Sequence, residues 1–279
     1  MTSIALIGNA KTEEIAKLQQ SFEEKNISAA FLKLNKVGML TEGKQTRILA
    51  GTINFRKYDA VYLEAEAVET AFVEPFLDEL AEEGIYCQLK PGSFYITSNK
   101  PYMHTVLNSK GLKIPKMSIF QSPDLVENAL KRLPFPVLFR AFSGTKKMQE
   151  LVIDSERSLK SVMKGMKKSA DVITLQEYLE DDIHYCFVIG ESVYAVKKKW
   201  NAKKFEHVRK GVGMTLPENE AKVAKLAAKM VGADIATVKI ISGRVINVMP
   251  KIDFERFNNT LGRDMQSYVV SHYAEALKR

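Results

Sequence analysis

Between residues 146 and 210 the chain gathers cations: Lys146-Lys147, then Lys160, Lys164, Lys167 and Lys168, then Lys197-Lys198-Lys199, Lys203-Lys204 and Arg209-Lys210. Any single one suits a solvated face, but the density over 197–210 suits a phosphate-bearing ligand, a nucleic acid or an acidic partner. Carboxylates fit to hold a metal are sparser, with Asp253 and Glu255 the pair nearest a strand end. Cys87 and Cys186 form no CxxC pair, and His184 beside Cys186 has no second ligand pair to complete a zinc site. The apolar setting Tyr185-Cys186-Phe187-Val188 favours inert packing over reactivity.

The elements that must position these groups can be read from hydrophobic period and punctuation. Ser3–Gly8 reads as a buried strand, and over 11–25 Ile15, Leu18 and Phe22 mark one helix face. Strands at 29–34 and 59–63 and a helix through Phe72, Phe76, Leu77 and Leu80 complete a parallel α/β lobe over 1–97. No GxGxxG follows its first strand, which excludes a dinucleotide fingerprint. Lys90-Pro91-Gly92 marks a boundary. Beyond it a helix capped by Ser98 or Asn99 ends at Gly111, and another runs from Ser122-Pro123 to Leu133-Pro134. A strand at 137–140 leads into a loop at 143–149 and a helix at 155–168. Strands at 172–175, 183–189 and 192–196 precede a helix at 218–231, a hairpin of 236–241 and 244–249, and a final helix at 262–277.

The length of 279 residues suits two to three lobes, and 46% hydrophobic residues give ample core. The formal charge is +8. Every apolar run is strand-sized, far below the roughly 20 residues of a spanning helix. Met1-Thr2-Ser3 carries neither a basic stretch nor an apolar one, so the expected location is cytoplasmic, away from any membrane.

In this order the segments resemble the ATP-grasp superfamily, and within it the RimK-type glutamate ligases and glutathione-synthetase-like carboxylate–amine ligases. Asn99-Lys100 with 110–116 is similar to the family's "DK … AGIPVPR" helix and turn, and Pro136-Val137-Leu138-Phe139-Arg140 to its "PVVVK" strand. Leu175-Gln176-Glu177-Tyr178-Leu179 resembles the "QEYI" hinge, and 187–195 the "VFVVGDEVVAA" hairpin. Val231-Gly232-Ala233-Asp234-Ile235-Ala236 resembles "LGLDIAGVD", and 245–250 resembles "VLEVNP". The likeness runs from about 97 to 277. It implies an α/β (α+β) architecture: a pre-ATP-grasp lobe over 1–97, then an ATP-grasp domain over 98–279 with antiparallel sheets. That domain divides into a small lobe (98–175) and a large lobe (176–279).

By the same resemblance ATP is the implied cofactor. Glu177, Tyr178 and Leu179 would hold adenine, and Asp182 or Asp181 the ribose. Lys100, Arg140, Lys146 and Lys198 would supply charge to the phosphates. Several positions depart from the pattern. The strand-ending lysine is Arg140, and the "GSQGRGV" loop is Gly144-Thr145-Lys146-Lys147-Met148-Gln149, with one glycine of three. Glycines let backbone amides approach phosphate, so that cradle is lost. The "RSN" segment is Glu206-His207-Val208, and the family's metal-binding aspartate, glutamate and asparagine are Lys239, Asn247 and Met249. Magnesium prefers hard oxygen donors, and an ammonium among them repels it. Arg140, Lys198 and Lys239 are expected to converge on one anion centre.

Three readings compete. One is a degenerate ATP-grasp pseudoenzyme that binds a nucleotide or another anionic ligand, with lysines in place of magnesium. Another is an active ligase whose metal site moved to Asp253 and Glu255. The third is a basic cleft for RNA or an acidic protein, since Tyr194, Trp200 and Phe205 interleave with the lysines.

Overall fold

A computed structural model of the chain describes residues 2–51, 53–122, 125–126, 134–143, 146–166, 170–204 and 206–278; the side chains of residues 53, 54, 146, 147 and 166 are outside that description. Most of the helix expected from Ser122-Pro123, and Gly144-Thr145 of the expected loop, fall outside it.

The first lobe begins with β1 (Ser3–Gly8), whose Ile4–Ile7 core is fully enclosed. Next is α1 (Glu13–Glu24), where Thr12 Oγ1 accepts the Ile15 amide at 3.3 Å and Ile15, Leu18 and Phe22 are buried, as their spacing predicts. β2 (Ser28–Lys33) pairs parallel to β1. The chain then makes an excursion absent from the sequence reading: β3 (Val37–Glu42), β4 (Gln45–Ala50) and β5 (Ile53–Asn54) form an antiparallel sheet. Gly43, at φ +63°, supplies the left-handed residue of its first turn. β6 (Ala60–Leu63), α2 (Thr70–Glu82) and β7 (Tyr86–Cys87) complete a parallel sheet of order β2-β1-β6-β7.

α3 (Ser93–Ser98) and α4 (Lys100–Ser109) lead into the small lobe. Asn99 is the cap of α4, accepting the Tyr102 amide at 3.1 Å. β8 (Met117–Phe120), β9 (Val137–Ser143), β10 (Lys146–Ile153), α5 (Glu156–Met166) and β11 (Val172–Glu177) follow, and the strands form a sheet of order β10-β9-β11-β8. Here the expected loop at 143–149 is corrected. Most of it is strand, with Glu150 opposite Arg140 and a register shift between Lys147 and Gln149. The described part pairs in extended conformation and absorbs the mismatch at a bulge.

The large lobe contains β12 (Ile183–Ile189), β13 (Ser192–Lys198), β14 (Trp200–Asn201), β15 (Glu206–His207), β16 (Val212–Met214), α6 (Glu218–Met230), β17 (Ile235–Ile241) and β18 (Arg244–Met249). Its main sheet is ordered β16-β13-β12-β17-β18. Period-two alternation on β12 sends Cys186 and Val188 to the core that includes the alanines of α6, and Phe187 and Ile189 to the opposite core. That second core is closed by α7 (Phe254–Leu261) and α8 (Met265–Ala276). The final helix expected at roughly 262–277 is α8, whereas α7 before it was not foreseen: Gly262, at φ +62°, ends α7, and Asp264 caps α8. The hydroxyl of Tyr273 on α8 donates to Val61 O at 2.9 Å and lies 2.8 Å from Gln88 Oε1, which ties the large lobe to the first sheet.

Candidate functional site

A cleft of about 500 Å³ lies between the sheet carrying β9–β11 and the β12–β17–β18 face. Leu138 and Val152 form one apolar wall, and Ile183, Ile241 and Ile246 the other. Gln176, Glu177, Tyr178 and Leu179 bridge them at one edge; Lys100, Arg140, Lys239 and Asn247 give the polar part. Strand 137–140 and hairpin 236–249 thus face one cavity, which suits a flat ring between apolar walls and an anion at the basic part.

The two sides differ in how their cations are balanced. Arg140, only 5% exposed, donates from Nε to Glu150 Oε2 and from Nη1 to Gln176 Oε1 at 2.9 Å. Its guanidinium is therefore neutralised and held in one orientation. Across the cleft, β17 pairs Lys239 with Tyr185, and the ammonium rests 5.1 Å from the centre of the Tyr185 ring. Lys198, opposite Ile183 on the same face, lies 5.6 Å from that centre, and Arg256 of α7 lies 4.5 Å from it. Asp253 caps α7, accepting the Arg256 amide at 2.9 Å, and its other oxygen pairs with the Arg256 guanidinium at 2.9 Å. Burial, then Arg256 and Lys198, pull the Lys239 ammonium below the usual lysine range; burial and Arg256 do the same to Lys198.

The hinge is clamped. Glu177 donates its amide to Lys116 O at 2.8 Å, while its carboxylate takes the Lys116 amide at 3.1 Å and Arg244 Nη1 at 2.7 Å. Burial alone would raise this carboxyl, yet the Lys116 amide and Arg244 outweigh it and hold it below the ordinary value. The Tyr178 amide points at Pro136 O, 3.4 Å away. Among the described residues the Leu179 amide has no such acceptor, which makes it the hinge donor open to a ligand.

Other candidates fall elsewhere. Asp182 does not line the cleft: it accepts the Trp200 amide at 2.8 Å and pairs with Lys197 at 3.3 Å. The Trp200 amide chiefly holds its pKa down. Asp181 takes Ser242 Oγ at 2.6 Å. Lys198 reaches the cleft only through Tyr185 and Lys239, and the side chain of Lys146 lies outside the described residues. Tyr194 packs on Tyr268, whereas Trp200 meets Tyr178 and His207. Tyr194 and Trp200 therefore do not share one stacking platform, and Phe205 lies outside the described residues. Burial pushes the thiols of Cys87 and Cys186 up to about 12, which keeps them unreactive.

Three contributors escaped the sequence reading. Glu150 lay just past the expected loop, in a stretch given no element, although the aliphatic run Leu151-Val152-Ile153 signals a strand. Arg256 lay in the missed α7. His104, fully buried on α4, uses Nε2–H toward Ile246 O at 3.3 Å, and Nδ1 has no partner among the described residues. Burial, aided by Lys100 and Arg140, brings its pKa down to about 4.

Comparison with known proteins agrees with this architecture. The structure of ATP-grasp ligase PsnB complexed with a phosphomimetic variant of minimal precursor, Mg and ADP superposes with a TM-score of 0.77 at 16% identity, covering 100% of this chain and 99% of that one. Macrocyclase MdnC bound with precursor peptide MdnA, from Microcystis aeruginosa MRC, gives 0.73 at 12% identity over 98% of this chain and 100% of that one. At those identities the likeness defines the fold, that of the ATP-grasp ligases. In sequence, a probable alpha-L-glutamate ligase of Mannheimia succiniciproducens is 25% identical over 229 residues, 77% of this chain and 76% of the relative. Residues 97–272 match the RimK-like ATP-grasp domain, and the chain belongs to that family.

Proposed function

We propose that the chain binds a nucleotide in the cleft and does not carry out magnesium-dependent carboxylate–amine ligation. The base would lie between the apolar walls against the Leu179 amide, with the phosphates toward Lys100 and Lys239, while Arg140 stays paired to Glu150. The donor set suits ATP: an open amide at the hinge, apolar faces for a ring and cations for phosphate. It does not suit magnesium. On β17 and β18 Lys239 stands opposite Asn247, and Thr237 opposite Met249, so an ammonium, an amide and a thioether occupy the family's ligand positions. That pairing is the observation that carries the proposal. Asp253 is engaged by Arg256, and among the described residues no group of three or more His, Cys, Asp or Glu is arranged to hold a metal.

The competing reading is an active ligase. It draws on the organised Arg140–Glu150–Gln176 network and on the likeness to a probable alpha-L-glutamate ligase and to ATP-grasp ligase PsnB, whose structure holds Mg, ADP and a precursor. Calorimetric titration with ATP, paired with a phosphate-release assay, separates the two. The proposal expects binding in EDTA and no phosphate release when magnesium and acidic peptides are added. Magnesium-dependent release that rises with an acidic peptide would establish the ligase instead.

A further inference from the structure

Tyr185 lies under three half-buried cations: Lys198, Lys239 and Arg256, at 5.6, 5.1 and 4.5 Å from its ring centre. Among the described residues neither lysine has a carboxylate within ion-pair distance. Asp253 is bound to Arg256, and Glu150, the other carboxylate that acts on Lys239, is bound to Arg140. Three cations against one local carboxylate leave two uncompensated positive charges.

A partly desolvated ammonium without a counter-charge is unfavourable, and an aromatic face only partly replaces water. A half-buried strand position with no counter-charge would be more stable with an aliphatic residue. The missing complement is an anion, and its charge can be argued. A carboxylate neutralises one of the two charges, whereas a terminal phosphoryl group carries about −1.5 to −2 at neutral pH and matches both. The guanidinium fork and the two point-charge ammoniums also offer more donors than a carboxylate can use. Magnesium brings the same two positive charges to a nucleotide, so the cluster stands in for the ion as well as repelling it.

We propose that Lys198, Lys239 and Arg256, gathered on Tyr185, form a divalent-cation-free site for the terminal phosphoryl groups of a polyphosphate. This deepens the nucleotide reading, since Lys239 also lines the cleft that the base would enter. The same chemistry fits the β- and γ-phosphates of a nucleoside triphosphate or a free inorganic polyphosphate chain.

The test is calorimetric titration of the full chain in EDTA with tripolyphosphate, ATP and AMP, repeated for Lys239→Met and Lys198→Met. Tripolyphosphate is expected to bind without metal, and each variant to weaken it by about tenfold or more, the scale of a lost charge-assisted contact. ATP is expected to exceed AMP in the parent protein, and that ratio to collapse in both variants. Unchanged tripolyphosphate affinity in both variants, or no binding in EDTA, overturns the site. AMP binding with no gain for ATP also rejects the site but leaves the nucleotide cleft standing. Tripolyphosphate binding with no AMP or ATP binding rejects the cleft and keeps the site, with free polyphosphate as its ligand. If Lys239→Met does not fold, Lys198→Met alone decides.

Discussion

Arg140 and Lys239 line one cleft from opposite sheets, yet they are treated oppositely. Arg140 is buried, paired to Glu150 and steered by Gln176. Lys239 is half-buried on a tyrosine, beside two further cations. A neutralised cation is a structural part that needs no ligand; an uncompensated one is a standing demand for one. The same formal charge therefore serves stability on the small-lobe side and binding on the large-lobe side.

The comparison breaks most plainly if Arg140→Met is harmless. Removing it takes the guanidinium from Glu150 and the donor from Gln176 Oε1, so we expect a loss of about 3 kcal/mol in urea denaturation. An effect under about 1 kcal/mol would mean that the pair is solvated and the two sides are alike.

His104, beside Arg140 and Lys100, extends the test to acid. Its folded pKa of about 4 lies below the ordinary 6.5, so the unfolded chain takes up the proton first. Stability is then intact above about pH 6.5 and falls as the pH drops toward about 4, by up to about 3 kcal/mol. Subtracting the acid profile of His104→Phe isolates this contribution; identical profiles would show that His104 is not held neutral.

On the other side the sign reverses. Lys239→Met should stabilise the ligand-free protein by about 1 kcal/mol, read as a raised melting temperature, by relieving an uncompensated ammonium. A lowered melting temperature would show that the lysine has a structural role like that of Arg140. The smallest effect is expected at Glu177→Gln. It weakens the Arg244 clamp between hinge and β18 for about 0.5–1 kcal/mol in the same denaturation assay, since both side chains are partly open to water.

These contrasts were only half legible in the sequence. The hinge, strand 137–140 and hairpin 236–249 were readable because each is a short apolar run with fixed punctuation, and pairing followed from their order. The counter-charges were not. Glu150 becomes the partner of Arg140 only through the β9–β10 register, and that register was hidden where a loop over 143–149 was expected. Arg256 reaches Tyr185 from the eight-residue α7, too short for its periodicity to stand out. Tyr185 joins the cluster only because β12 and β17 align it with Lys239. Local patterns report elements, whereas charge balance is a property of register.

The bond from Tyr273 to Val61 spans 212 positions. Ile4, Leu6, Ala60 and Tyr62 of the first sheet share their core with Met265, Val269, Val270 and Tyr273 of α8. During synthesis, at about 5–20 residues per second, that sheet face must wait roughly 10–40 s for its cover. For that interval the nascent chain presents an uncapped apolar surface to the ribosome exit and whatever chaperones are there, so translation speed through the large lobe sets how long the first lobe is vulnerable.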